Sequence, residues 1–494
     1  MHETSRRTEP RIGTIRAWKR EAAGCLAAVV SLGPASAQET WPSHGSRPIP
    51  ENARLRPGID TEGYPPIGRR QAVAVLGETA GASVGAFVRS PLASTGQVIG
   101  RGAERLVVRA RELTAWAGSA QASSRFGRRG DGVIDAPFGS PRMPATITLL
   151  PSSEEAIQSL LALIGSPARR IDLMMYAWED DPTGREVAQA LESAAGRGVR
   201  VRLLVDRGAF LLHNPAAAEG RPTFLDRLRV VPGVALIEPD DPFLRFDHRK
   251  LAVVDGRVAW TGGMILTEVA RRKWENLAFL AEGPVASQYS ALFEDRWREV
   301  GGAPGLPATD PRLLPSTPTR SNAVVRLVRT DVRERSLKDA IYHAVDHARC
   351  RIYLENPYFS DDLLADKLVA ARRRGVDVRA VLTLRGNVTS LNRYVVLTAN
   401  RLLRGGVRVY LAPGMTHVKA LSVDGSWCYL GTGNFDELSL RNNREVGLSI
   451  SSPEVTGALD ATLFQPDVAE AQELTGLLPR PEHWPLLRLF ALWF

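Results

Sequence analysis

His248-Arg-Lys-Leu-Ala-Val-Val-Asp-Gly256 returns further along the chain as His417-Val-Lys-Ala-Leu-Ser-Val-Asp-Gly425. Both stretches keep His-x-Lys-x4-Asp-Gly, and three neighbouring stretches return with them. Arg170-Ile-Asp-Leu-Met-Met-Tyr176 matches Arg351-Ile-Tyr-Leu-Glu-Asn-Pro-Tyr358. Ala195-Gly-Arg-Gly-Val-Arg-Val-Arg-Leu-Leu204 matches Arg372-Arg-Arg-Gly-Val-Asp-Val-Arg-Ala-Val381, and Pro232-Gly-Val-Ala-Leu-Ile237 matches Gly405-Gly-Val-Arg-Val-Tyr410. The offset between partners shrinks steadily from the first match to the last, as small loop deletions produce. An internal repeat of this extent is a duplicated domain half.

Within each half apolar runs alternate with amphipathic ones. Ile171–Tyr176 and Val199–Val205 have the composition of buried strands, with the helical pattern of Gly184–Arg197 between them. Leu363–Arg373 and Val376–Leu382 repeat that helix and strand. Strand–helix–strand units predict an α/β fold: two pseudo-twofold halves, each a mixed, mostly parallel sheet flanked by helices, with a site where they meet. The pattern divides the chain into 146–312 and 322–475 as the two halves. Before them lie 1–37 and a region of unassigned role at 38–145, and after them an apolar tail at 476–494.

If 248–254 and 417–423 are strands, alternation puts His and Lys of each motif on one face. Asp255 and Asp424 fall on the other parity and precede Gly, so they are expected to stabilise the motif turn as much as to touch substrate. Two imidazoles and two ammonium groups suit cleavage of a phosphodiester. One neutral His attacks phosphorus; the other, protonated, gives its proton to the leaving oxygen. An imidazole pKa of about 6.5 makes both states accessible near neutral pH. The lysines hold the charged oxygens. The scheme needs no metal ion and no cofactor.

Around these motifs the sequence resembles the phospholipase D superfamily, in particular bacterial cardiolipin synthases and related phosphatidyltransferases. The resemblance spans about residues 146–465 and rests on both motifs and on Gly431-Thr-Gly-Asn-Phe-Asp-Glu-Leu-Ser-Leu-Arg-Asn-Asn-Arg-Glu445. Trp260-Thr-Gly-Gly-Met264, Glu282-Gly-Pro284 with Phe293 and Trp297, and Glu355-Asn-Pro-Tyr-Phe359 extend it. It implies two phospholipase D-like halves and a route through phosphohistidine, with His248 as nucleophile and His417 as acid beside Lys250 and Lys419. It also implies that Asn434 binds a phosphate oxygen and that Glu445 orients an imidazole. The substrate implied is a glycerophospholipid such as phosphatidylglycerol, with the phosphatidyl group passing to an alcohol or to water.

Asn434 and Glu445 both follow His417 in the second half; the same offsets counted from His248 give Ile265 and Asn276. The first half therefore departs from the pattern at both supporting positions. Either the halves have specialised, with Glu275 a candidate stand-in, or activity is reduced or lost. In the family each acid tends to serve the opposite half's histidine, so Glu445 is expected at His248 and the weakened support at His417. Two rivals remain: a nuclease using the same four residues on nucleic acid, and a non-catalytic lipid- or phosphate-binding protein.

The 494-residue chain carries a net charge of +9, and only six of its 63 basic residues are Lys. That scarcity makes Lys250 and Lys419 conspicuous. The charge suits an anionic membrane surface or nucleic acid, and equally a basic N-terminus. Three cysteines (Cys25, Cys350, Cys428), with no Cys/His cluster, exclude a disulfide scaffold and argue against a zinc site; Cys350 and Cys428 are free to pair in an oxidising compartment. Basic residues up to Arg20, the apolar run Ala22–Gly33 and Ala35-Ser-Ala37 have the order of an export signal. This points to the periplasm, cell envelope or outside, with the cytoplasmic side left open. Trp484, Phe490, Trp493 and Phe494 are candidate interfacial anchors in a tail too short to span a bilayer. Tyr176, Trp178 and Tyr358 fall near strand ends facing the cleft or in the core. His343 and His347 are four apart on a helix with no third ligand, and His213 has no evident partner.

Overall fold

The computed structural model describes residues 134–481, apart from 136, 167, 242–244 and 304–319. The export-type segment and the aromatic C-terminus lie outside the described residues. The strands of the first half are β1 (Met143–Leu150), β2 (Arg170–Met175), β3 (Arg200–Val205), β4 (Val234–Ile237), β5 (Lys250–Val254), β6 (Val258–Gly262) and β7 (Ala278–Glu282). Those of the second are β8 (Ala323–Thr330), β9 (Arg351–Asn356), β10 (Asp377–Leu382), β11 (Arg408–Leu411), β12 (Ala420–Val423), β13 (Trp427–Gly431), β14 (Glu445–Ser451) and the short β15 (Gln472–Glu473).

All fifteen form one sheet in the order β15-β11-β10-β9-β12-β13-β14-β8-β1-β7-β6-β5-β2-β3-β4. Outward from β1 the sequence is β7, β6, β5, β2, β3, β4; outward from β8 it is β14, β13, β12, β9, β10, β11. The duplication is therefore complete at the level of strand order. The two copies meet where β1 pairs antiparallel with β8, Pro144 opposite Val324.

Helices α2 (Pro182–Gly196), α5 (Asp362–Arg373) and α6 (Thr389–Arg404) connect the parallel neighbours β2–β3, β9–β10 and β10–β11, while α1 (Ser153–Gly165) and α4 (Ser336–His347) lead from β1 to β2 and from β8 to β9, and α3 (Pro284–Glu299) follows β7. Helix α2 shows why they start and stop where they do. Asp181 caps it by accepting from Gly184 N, and Pro182 occupies its first turn. It ends at Arg197 and Gly198, the latter at φ +86°.

The balance of pairings differs from the expectation. Only β2–β3, β3–β4, β9–β10 and β10–β11 are parallel. The other pairings are antiparallel, because after the crossovers each half returns through tight hairpins, β5–β6 and β12–β13, that need no crossover helix. Asp255 and Asp424 make these turns, both at φ 52°. Asp255 Oδ1 accepts from Arg169 N and Arg170 N, and Asp424 from the N–H groups of Arg349, Cys350 and Arg351. Each carboxylate thus pins its hairpin to the start of the adjacent strand.

Candidate active site

Strand β5 begins at Lys250 and β12 at Ala420, so neither histidine lies in a strand ladder. The residues before each strand leave their own half. His248 N donates to Arg444 O and Arg444 N to Phe246 O; His417 N donates to Glu275 O and Glu275 N to Met415 O. These two parallel bridges, Asp247–Arg444 and Glu275–Thr416, are pseudo-symmetric. Each brings one half's histidine beside the other half's Glu445 or Asn276, close to the start of that half's last hairpin strand.

The result is a crossed arrangement. His248 Nδ1 donates to Glu445 Oε1 at 2.8 Å. His417 Nδ1 meets Asn276 Oδ1 at 3.1 Å. The Asn276 amide is oriented by its other end: Nδ2 lies 3.1 Å from Ala270 O, which can only accept. Its oxygen must therefore face His417, and the imidazole must be the donor. Both histidines are held with Nδ1 protonated, which leaves each Nε2 for chemistry.

Glu445 is clamped by more than its histidine. Ser439 Oγ donates to Oε1 at 2.7 Å and Thr432 Oγ1 to Oε2 at 2.5 Å. Three donors on two oxygens suit the ionised form. Burial opposes the charge and pushes Glu445 up to about 8, while Lys250 pulls it down. His248 is driven well below 6.5, by burial and then by the charges of Lys250 and Lys419. The acid and the imidazole thus hold one proton between them and titrate as a pair. His417 is lowered in the same way, by burial and both lysines.

The lysines are fully buried, at 0% and 1% exposure. Lys250 Nζ donates to His248 O at 2.6 Å and Lys419 Nζ to His417 O at 2.8 Å. Among the described residues neither is paired with a carboxylate. Burial lowers Lys250 to about 7 and Lys419 well below its usual value. Burying two cations costs several kcal/mol each.

A model of the "Cardiolipin synthase, PLD-like domain" matches residues 160–297 and again 341–465, more than half of the chain. The chain belongs to the phospholipase D-like family. Cardiolipin synthase A of Cronobacter sakazakii is 28% identical over 345 residues, covering 66% of this chain and 68% of its own. Cardiolipin synthase A of Salmonella arizonae has the same identity and coverage. Among solved structures, phosphatidylserine synthase of Haemophilus influenzae Rd KW20 superposes with a TM-score of 0.53 at 16% identity, over 70% of this chain and 92% of its own.

Several positions distinguish this phospholipase D-like site. Asn434 lies in the loop after β13, buried, with its amide bonded to Asp436. Its first-half counterpart Ile265 is buried in the core. Glu275 does not stand in for an acid at His417; its backbone makes the bridge and Asn276 itself takes the histidine. Asp255 and Asp424 lie beyond the far ends of β5 and β12 from the histidines.

Of the aromatic walls, the sequence singles out Tyr176, near a strand end facing the cleft or in the core, and not Trp274. Tyr176 meets His248 edge-on at 4.5 Å and lies 4.7 Å under Lys250 Nζ. Trp274 lies 5.1 Å from His417. Thr432, Ser439 and Asp436, the last pushed to about 7 by burial and Glu445, were likewise unsignalled, though all lie within the stretch that carries the resemblance. Of the other candidates, Trp178 and Tyr358 belong to the core. His343 and His347 stack at 3.9 Å, and His213 bonds Glu179 at 2.8 Å. Cys350 and Cys428 are unpaired, one exposed and one buried. No described helix is long and apolar enough to cross a membrane.

Proposed function

We propose that this phospholipase D-like phosphatidyltransferase cleaves a glycerophospholipid such as phosphatidylglycerol through a phosphohistidine on His248. His248 Nε2 attacks phosphorus, and the bond to the headgroup oxygen breaks. The anionic phosphodiester counters the two lysine charges and lets His417 take up a second proton from solvent at Nε2; His417 gives that proton to the headgroup oxygen, so the headgroup leaves as a neutral alcohol. An incoming alcohol, or water, then gives a proton to His417 and attacks the same phosphorus, which releases His248. Lys250 and Lys419 neutralise the non-bridging oxygens throughout.

The observation that carries this reading is the crossed pairing of His248 with Glu445 and His417 with Asn276 around two buried lysines. A carboxylate behind His248 favours the imidazole that becomes cationic on forming the P–N bond. A neutral amide behind His417 makes it readier to release a proton, which suits the acid. Ile265 and Asn276 are thereby read as specialisation of the halves. Lipid contact is peripheral, through the basic surface and the aromatic tail. The export-type order of residues 1–37 supports a location in or beyond the cell envelope.

The test is incubation with head-labelled and phosphorus-labelled phosphatidylglycerol, with and without glycerol. Acid-labile label on His248, with phosphatidic acid or a transferred phosphatidyl product, supports the reading. Cleavage of DNA instead of lipid assigns the nuclease alternative. No labelling and no product with folded protein assigns a binding role.

A further inference from the structure

Three carboxylates from distant parts of the chain meet behind the segment that carries His417. They are Glu275, in the bridge to Thr416; Glu355, on β9; and Asp467, on the short helix Gln465–Glu470. One oxygen of each lies within 4.8 Å of the others. Glu355 is fully buried. Its Oε1 accepts from Thr416 Oγ1, and its Oε2 receives no donor. Burial, then the charges of Asp467 and Glu275 and a side-chain hydrogen bond with Asp467, hold its carboxyl well above the usual range.

The fold itself does not require an acid here. Met175 lies opposite Lys250 in the first half, and Glu355 lies opposite Ala420, next to Lys419, in the second. By that register the counterpart of Glu355 is Met174, a core residue. A buried acid facing two others is costly without a compensating charge. Beside it is a cavity of about 20 Å³, lined among others by Glu275, Thr416, Asp467, Glu470 and Lys273. That is room for one water-sized particle.

We propose that Glu275, Glu355 and Asp467 bind one hard divalent cation of the Ca²⁺ class. The donors are all oxygens, which favours hard ions over zinc or copper. Oxygens up to 4.8 Å apart fit ligands around an ion at bond lengths of about 2.3–2.6 Å. Lys273 offsets part of the negative charge, with Glu470 adding to it; water completes the coordination. The ion is not placed at the reacting phosphorus. It braces the backbone bridge, since Glu275 N donates to Met415 O and its carbonyl accepts from His417 N.

The full chain, freed of metal by chelation, is titrated with Ca²⁺ by calorimetry and with Tb³⁺ by tryptophan-sensitised luminescence. One saturable site per chain is expected, weakened at least tenfold in E355Q and in D467N. It should be unchanged in E219Q, an exposed acid paired with Arg221. Ca²⁺ should raise the melting temperature of the wild type and not that of E355Q; if E355Q fails to fold, D467N decides. Absence of saturable binding in the wild type, or unchanged affinity in both variants, overturns the proposal. Wild-type stability indifferent to Ca²⁺, with E355Q more stable than wild type, also overturns it and identifies a proton shared between Glu355 and Asp467. None of these readouts depends on lipid turnover.

Discussion

Asn276 Oδ1 accepts the Nδ1 proton of His417, from the opposite half of the chain, in the place where Glu445 serves His248. The two histidines are therefore equivalent in position and unequal in chemistry. A carboxylate stabilises a developing imidazolium; an amide fixes the tautomer and does little for the charge.

Glu445→Gln should accordingly be far more damaging than Asn276→Asp. The first removes the charge behind the nucleophile and is expected to lower kcat by about 10²–10⁴-fold. The second adds a carboxylate behind an acid that already works, and kcat should stay within about tenfold of wild type. Steady-state release of headgroup from phosphatidylglycerol measures both. Comparable turnover in Glu445→Gln and wild type refutes the orienting role.

The division of labour between the histidines can be read from the leaving group. An activated aryl phosphodiester departs without a proton, so His417→Ala should retain formation of the phosphohistidine on that substrate while losing it on lipid. His248→Ala should form none with either. Burst amplitudes of aryl alcohol release settle the comparison, and equal loss in the two variants would contradict the assignment.

Acid should inhibit through the His248–Glu445 pair. As pH falls the pair takes up a second proton, and an imidazole that is protonated or turned to the wrong tautomer cannot attack. Since burial pushes Glu445 up to about 8, the decline in the single-turnover rate should begin far above the ordinary carboxylate range. Glu445→Gln should abolish this limb. A wild-type profile flat from about pH 8 down to about pH 5 would be incompatible with the paired titration.

Much of this site is legible in the sequence because it is local. His248, Lys250, His417 and Lys419 announce themselves by spacing and repetition, and the strand order follows the same repeat. The offset rule even singles out Asn276. The sequence does not show that 248–249 and 417–419 leave the strands to bridge the halves, because that depends on backbone pairing with Arg444 and Glu275. Trp274 is an ordinary core residue by composition, and only the closing of one half on the other brings it to His417, whereas Tyr176 meets His248 and Lys250 within its own half. Glu355 and Asp467 stand far apart in the chain, with no pattern that joins them. The parallel majority failed for a related reason, since apolar periodicity marks a strand but not its direction.

The bridge makes Gly263 indispensable. A Cβ at that position would stand 2.5 Å from the His417 carbonyl and 3.5 Å from the Lys419 side chain. The first contact is with backbone, so the bridge must move. Gly263→Ala should keep the fold of each half and displace His417, and a misplacement of about 1 Å costs about 10²-fold in rate. Circular dichroism with the turnover assay separates this from unfolding; activity above about a tenth of wild type would show that the bridge yields.

Asp424 tests the opposite proposition, that a motif residue acts on stability alone. Its carboxylate takes the N–H groups of Arg349, Cys350 and Arg351, and its backbone sits at φ 52°, where Asn and Gly are tolerated and Ala is not. Alanine removes every acceptor and adds backbone strain, a cost of about 1–2 kcal/mol because these groups lie near solvent. Asparagine keeps the conformation and one acceptor and should cost about half as much. Thermal melts should rank wild type above Asp424→Asn above Asp424→Ala. Turnover per folded molecule should change by less than about threefold, since the residue lies beyond the far end of β12 from His417. A large loss of turnover in Asp424→Asn with an unchanged melt would place this carboxylate in the chemistry after all.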